Sequence, residues 1–261
     1  MNYNTIVFSE FEQYVELKLN RPTVYNALNQ EMLSELLEAF KAIESDDRIR
    51  CVVLTGTDKA FSSGQDLKSV GGDLSNVPFE SIIKDFYNPL ILKMRSLNKP
   101  IICKLNGVAA GAGCSLALAC DMIISSDDAY LAEIFVNIGL IMDAGSTFFL
   151  PRALGSFKAF EIATTGAKVY GKEAESLGLV NKSVPALELD DEVQKMVNYY
   201  TTAPTYAIGL IKEMLNESNG MKLEEVLEME SVYQQKAGNS HDFREGVMAF
   251  LEKRRPNFQG K

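Results

Sequence analysis

Apolar and polar positions alternate along residues 5–20, with Ile6 and Phe8 on one side of a polar turn and Val15, Leu17 and Leu19 on the other. That two-residue period predicts a hairpin with one buried face. Arg21-Pro22 ends it. From Gln30 the period changes to that of a helix, with Met32, Leu33, Leu36, Leu37, Phe40 and Ile43 on one face and acids with Lys41 on the other. Cys51-Val52-Val53-Leu54-Thr55 is a continuous apolar run, the pattern of a strand covered on both faces. Residues 71–78 read as a mobile loop. Helical periodicity resumes from Phe79 to Leu97, with Pro89 expected to kink or split the helix.

The middle of the chain is the most informative stretch. A buried strand over Pro100–Leu105 turns at Asn106-Gly107 into the small-residue run Val108-Ala109-Ala110-Gly111-Ala112-Gly113-Cys114-Ser115. An apolar helix through Leu116–Ala119 and a strand from Met122 to Ser125 follow. Short helices are expected over Ser146–Leu154 and Phe157–Thr165, then one over Lys172–Leu177 stopped by Gly178. A last strand is read over Leu179–Val184. From Leu187 onward the pattern is helical, with breaks near Pro204 and Gly220. Strands alternating with helices to about residue 185, then a helical tail, define an α/β fold with a C-terminal helical appendage.

Composition narrows the function. The 261 residues are 46% hydrophobic and 23% charged, enough for a large core. A net charge of -9 argues against nucleic acid as the partner, because phosphate contacts need clustered Lys and Arg. The apolar runs are too short to span a membrane, and Met1-Asn2-Tyr3-Asn4 lacks the start of a signal peptide, so a cytoplasmic location is expected. The four cysteines show no metal spacing, and His241 is the single histidine. No metal site is expected.

Two glycine turns follow strands, Ser63-Gly64-Gln65-Asp66 and Gly111-Ala112-Gly113. Glycine there permits either tight packing or close approach of backbone N–H groups to a ligand oxygen. Asp143, set among Leu140, Ile141 and Met142, is either the N-cap of the next helix or a desolvated general base. Glu133 is a weaker acid candidate. Ser115 and Ser146 have no evident activating base and read as structural.

These turns, with Asn20-Arg21-Pro22, Asn26-Ala27-Leu28-Asn29, Phe61-Ser62-Ser63-Gly64-Gln65-Asp66-Leu67, Lys99-Pro100, Asn106-Gly107-Val108, Glu245-Gly246 and Phe250-Leu251-Glu252-Lys253-Arg254, resemble the enoyl-CoA hydratase/isomerase (crotonase) family across nearly the whole chain. The resemblance implies a spiral of strand–strand–helix units over residues 1–198 and a helical trimerisation region over 199–261. It implies trimers or paired trimers and acyl-CoA substrates, with coenzyme A carried by the substrate and no separate cofactor. It makes the backbone N–H groups of Gln65 and Ala112 the oxyanion donors, with Asp143 as the catalytic proton shuttle. Ser63, Gln65, Asp66, Leu67, Lys68 and Gly111 become coenzyme A and substrate contacts. Phe250 and Lys253 would reach a neighbouring subunit's coenzyme A, although Lys253 is equally readable as a solvated helix charge. Phe86, Tyr87 and Phe135 are expected in the acyl pocket or, as plain packing, in the core.

The two glutamates of the family's hydratases correspond here to Ser115 and Phe135, and the position of Phe135 is also the base of single-glutamate isomerases. A lone acid at Asp143, together with Asp85-Phe86-Tyr87-Asn88-Pro89-Leu90, looks like the ring-1,2-epoxyphenylacetyl-CoA isomerase branch of phenylacetate degradation. The expected activity is therefore movement of a double bond, or rearrangement of an aryl epoxide to an oxepin, in a CoA thioester. A hydratase of fatty-acid degradation and an acyl-CoA-binding homologue of reduced activity are the alternatives.

Overall fold

The computed structural model describes residues 3–68 and 76–261. Most of the loop expected over 71–78 lies outside the described residues. The chain opens with the hairpin β1 (Ile6–Glu10) and β2 (Tyr14–Leu19), paired antiparallel. Its alternation is realised: Val15, Leu17 and Leu19 are fully buried. The helix α1 (Gln30–Ser45) is capped by Asn29, whose side chain accepts the Met32 N–H at 2.9 Å. Its buried face carries Met32, Leu33, Leu36, Phe40 and Ile43, with Leu37 half-buried at the margin.

Three strand–strand–helix units follow. The first is β3 (Cys51–Gly56) and β4 (Ala60–Ser62), then α2 (Phe79–Ile82) and α3 (Asn88–Ser96). The second is β5 (Ile101–Leu105), β6 (Val108–Ala110) and α4 (Ala112–Leu118). The third is β7 (Met122–Ser126) and β8 (Tyr130–Ala132), followed by α5 (Ser146–Leu154) and α6 (Ser156–Thr165). The chain continues through β9 (Val169–Tyr170), α7 (Gly171–Ser176) and β10 (Lys182–Val184). It ends in α8 (Leu189–Thr202), α9 (Thr205–Glu217), α10 (Leu223–Gly238) and α11 (His241–Glu252).

Each unit gives one strand to each of two sheets. The larger has the order β1-β2-β3-β5-β7-β10 and is parallel from β2 onward. The smaller, β4-β6-β8-β9, is parallel from β4 to β8. Parallel pairing brings the carboxyl ends of β4, β6 and β8 to one edge, and the segments leaving that edge are those at Ser63, Gly111 and Glu133. This is the spiral architecture expected.

Some boundaries differ from the sequence pattern. Residues 79–96 form one helical rod, but Pro89 does not split it: a π-helical turn, Ile83–Tyr87, precedes it. Pro89 lacks an N–H and crowds the preceding turn, and the wider turn absorbs both effects. Only Lys182–Val184 of the stretch 179–184 is strand, because Leu179 and Val180 pack into the main core beside α7. The division drawn at residue 198 falls inside α8, whose Val193 and Val197 pack on Cys51, Val53, Ile102 and Ile124 of the larger sheet. No described helix is long and apolar enough to cross a membrane.

Asn26 holds the turn between β3 and β4 to the segment that leaves the hairpin. It is fully buried at a positive φ of 55°. Its Oδ1 accepts the Arg21 N–H at 2.9 Å, and its Nδ2 donates to the carbonyls of Thr57 at 3.0 Å and Ala60 at 2.8 Å. Asn26→Ala removes these bonds and the one its Oδ1 accepts from the Thr57 hydroxyl, so unfolding in denaturant should lose roughly 3–5 kcal/mol. A loss below about 1 kcal/mol would mean that Asn26 does not anchor this loop.

Candidate active site

The loops after β4 and β6 meet at a distance that side chains would forbid. A Cβ on Gly64, which has φ of 92°, would lie 2.6 Å from the Ala110 carbonyl oxygen and 3.4 Å from the Ala112 nitrogen. Gly111, at φ of 52°, precedes α4 and leaves Ala112 in the first turn of that helix. First-turn N–H groups have no partner within their own helix and carry the positive end of its dipole. The Gly64-Gln65 and Gly111-Ala112 backbones thus flank the opening of a single pocket.

That pocket, with its mouth, encloses about 770 Å³ of empty space. Of the residues expected in the site, Ser63, Gln65, Leu67, Tyr87, Gly111, Ala112, Phe135 and Asp143 line it together. The remaining walls are mostly apolar: Phe79, Ile82 and Ile83 on one side, Ile134, Ile138 and Leu140 on the other. The Tyr87 hydroxyl donates to Gln65 Oε1 at 2.6 Å, tying the wall to the Gly64-Gln65 loop. Burial, with the Asp143 charge adding to it, pushes the Tyr87 phenol far above its usual range.

Asp143 is not a helix cap. The helix begins at Ser146, and the residue before it is Gly145. The Asp143 carboxyl projects to the pocket with Oδ1 buried and unpartnered among the described residues. Burial raises its pKa from 3.8 to about 6. Its neighbours are not as the sequence suggested: Leu140 lines the pocket and Met142 packs on the core, but Ile141 is 87% exposed.

Other expected residues lie elsewhere. Phe86 is not among the pocket-lining residues; the π-helical turn aims Tyr87 inward and leaves Phe86 half-buried against the core. Asp66 pairs with Arg21 at 2.8 Å and accepts the Lys68 N–H at 3.1 Å, so it braces the loop after β4 from outside the pocket. Lys68 is exposed. Phe250 is 83% exposed on α11, and Lys253 is the exposed C-cap of that helix; neither lines the pocket of its own chain.

One group was not recognisable from sequence. Ser146 Oγ lies 2.6 Å from Glu133 Oε1 and 2.8 Å from Ser115 Oγ, so the two serines read as structural are joined to a buried acid. Burial raises the Glu133 pKa from 4.5 to about 7, the Ser146 hydroxyl and Cys114 thiol oppose the rise, and Asp143 adds to it. These residues are far apart in sequence, and only the packing of α4, β8 and α5 brings them together.

The two-sheet spiral is shared with proteins of known family. Residues 11–261 match the enoyl-CoA hydratase/isomerase family model. The chain belongs to that family, whose members are enzymes acting on CoA thioesters. It is 41% identical over 248 residues to the 1,2-epoxyphenylacetyl-CoA isomerase of Escherichia coli, covering 94% of each chain. It is 36% identical over the full length of both chains to a probable enoyl-CoA hydratase of Rhodobacter capsulatus. The crystal structure of an enoyl-CoA hydratase from Mycobacterium smegmatis superposes with a TM-score of 0.92 at 33% identity, covering 98% of this chain and 99% of the other.

The loop contact is directly testable. Gly64→Ala forces a strained backbone and a collision with the Ala110 carbonyl, so the loops after β4 and β6 must part. Stability should fall by roughly 1–3 kcal/mol, and turnover of an enoyl-CoA by about 10²-fold. Retained turnover in a folded variant would exclude close loop apposition as a requirement.

Proposed function

We propose that this protein is an acyl-CoA isomerase that moves a double bond by a single-base proton shuttle. The observation that carries this reading is that Asp143 is the one carboxylate among the described pocket-lining residues, set beside two converging backbone segments. The thioester carbonyl would accept the N–H groups of Gln65 and Ala112. Such donors act on the charge that develops in the transition state and are worth about 3–4 kcal/mol each. Asp143 takes the α-proton, the dienolate rests on the two N–H groups, and Asp143 returns the proton at the γ-carbon. One carboxyl within reach of both carbons suits isomerisation.

The apolar walls suit a hydrocarbon or aryl acyl group, and the 41% identity to an epoxyphenylacetyl-CoA isomerase supports the aryl epoxide as the natural substrate class. The coenzyme A portion is assigned to the 63–68 segment, with Phe250 and Lys253 contributed by a neighbouring subunit of a homotrimer or pair of trimers. Exposed Ile211, Leu215, Leu227, Val247 and Leu251 on α9–α11 support such subunit contacts.

Hydration is the second reading. It is favoured by Glu133, a second acid whose pKa rises to about 7 and which feels the Asp143 charge. Yet Glu133 is fully shielded and does not line the pocket, so it has no path to a bound water at the acyl chain.

Conversion of a 3-enoyl-CoA to its 2-enoyl isomer, with hydration followed in the same assay, separates the two. Asp143→Asn should lower kcat by about 10²–10⁴-fold with KM little changed, and neither protein should hydrate appreciably. Hydration that persists in Asp143→Asn would overturn the isomerase reading. In the wild type, kcat/KM should rise with pH through about 6, because the base works only after losing its proton. A rate independent of pH across that range would exclude Asp143 as the base.

A further inference from the structure

A buried chain of three side chains lies behind the pocket wall. Glu133 follows β8, Ser115 lies within α4 and Ser146 opens α5; each is 0% exposed. Each belongs to an element that builds the site. The helix α4 starts at Ala112, β8 leads into Ile134 and Phe135, and the Ser146 N–H donates to the Asp143 carbonyl at 3.1 Å.

Proton counting gives this chain a direction. A hydroxyl has one hydrogen, so Ser146 cannot donate to both Glu133 Oε1 at 2.6 Å and Ser115 Oγ at 2.8 Å. With a proton on Glu133 the bonds run one way: Glu133 to Ser146, Ser146 to Ser115, and Ser115 to the Gly111 carbonyl at 3.4 Å. Every donor is then used once. Without that proton Ser146 must donate to Glu133 Oε1, the one Ser115 hydrogen then serves either Ser146 or the Gly111 carbonyl and not both, and Glu133 Oε2, which has no hydrogen-bond partner among the described residues, is left as part of a buried charge.

We propose that Glu133 is a positioning residue for the Asp143 shuttle, its proton setting the direction of the Ser146–Ser115 chain that ties the Asp143 turn to the helix start at Ala112. This rests on the isomerase reading above. The titratable groups facing Glu133 are the Cys114 thiol from α4 and the Asp143 carboxyl from the turn before α5. Burial pushes the Cys114 thiol well above its ordinary range, so it stays neutral. Burial and the Asp143 charge together favour the protonated acid, with a pKa of about 7. Ionisation above that pH turns the Ser146 hydroxyl toward Glu133 and adds a second negative charge beside the site where the dienolate forms. Activity is therefore confined between the ionisation of Asp143 and that of Glu133.

The test is the pH profile of isomerisation for wild type, Glu133→Gln and Ser146→Ala. Wild-type kcat/KM should fall above about pH 7. Glu133→Gln keeps a donor to Ser146 through its amide N–H and should stay within about threefold of wild type near pH 6.5, yet lose the alkaline fall and exceed wild type about tenfold at pH 9. Ser146→Ala should lower kcat about tenfold with KM unchanged. It should also move the alkaline fall to higher pH, because the hydroxyl no longer stabilises the carboxylate. An alkaline fall that persists in Glu133→Gln, or one unmoved in Ser146→Ala, would overturn the proposal.

A second measurement needs no turnover. A raised carboxyl pKa means that the folded chain holds a proton the unfolded chain has lost, so stability declines as pH rises between the ordinary value of 4.5 and about 7. The denaturation midpoint of wild type should therefore drop relative to Glu133→Gln across that interval. Parallel midpoints would refute a proton on Glu133 even if the isomerase reading stands. Diverging midpoints in a protein without isomerase activity would instead locate the failure in that reading.

Discussion

The site depends on one close approach of backbone to backbone. The strands β4 and β6 pair in parallel, Ala60 beside Val108 and Ser62 beside Ala109, and the chains leaving them converge where Gly64 faces the Ala110 carbonyl. No Cβ fits at Gly64. A Cβ on Gly113 would likewise fall 2.5 Å from the Ser62 carbonyl, so α4 lies directly against β4. Side chains can be repacked, but a backbone separation of this kind is fixed by the strand pairing and by the absence of side chains. Everything placed around the pocket, including Asp143, takes its position from that contact.

The chemistry follows from what the contact leaves polar and what the walls exclude. An apolar enclosure makes a carboxyl basic by withholding solvent, and it also strengthens any N–H aimed at a developing oxyanion. Asp143 and the two loops gain from the same dry environment. The cost is a pair of buried acids, each with an oxygen unpartnered among the described residues, Asp143 Oδ1 and Glu133 Oε2. Functional sites commonly retain such strain where a better-satisfied arrangement would be more stable but less reactive.

The sequence revealed those parts of the fold whose signal is local. Val15, Leu17 and Leu19 alternate because one face of β2 is buried, and α1 shows its stripe because it packs on one side. The smaller sheet was not legible: β4, β6 and β8 have three residues each, too few to express a period. Ser63, Gly64 and Gly111 were recognisable as turn residues, and resemblance to a family supplied their proposed role. Phe86 and Tyr87, adjacent and both aromatic, were indistinguishable until the π-helical turn separated them. The link from Glu133 to Ser146 and Ser115 had no sequence signal, since it exists only where three elements pack. Contacts that Phe250 and Lys253 would make belong to a second subunit and lie beyond a single chain.

The central claim is that one carboxyl carries one proton between two carbons of a thioester-bound chain. A 3-enoyl-CoA bearing deuterium at the α-carbon tests this most directly, with the product analysed after less than one turnover in ordinary water. Shuttling by the half-enclosed Asp143 predicts that part of the deuterium reappears at the γ-carbon, and that this transfer vanishes in Asp143→Asn. Complete loss of the label to solvent, or a product that has gained a hydroxyl group, would contradict a single-base shuttle.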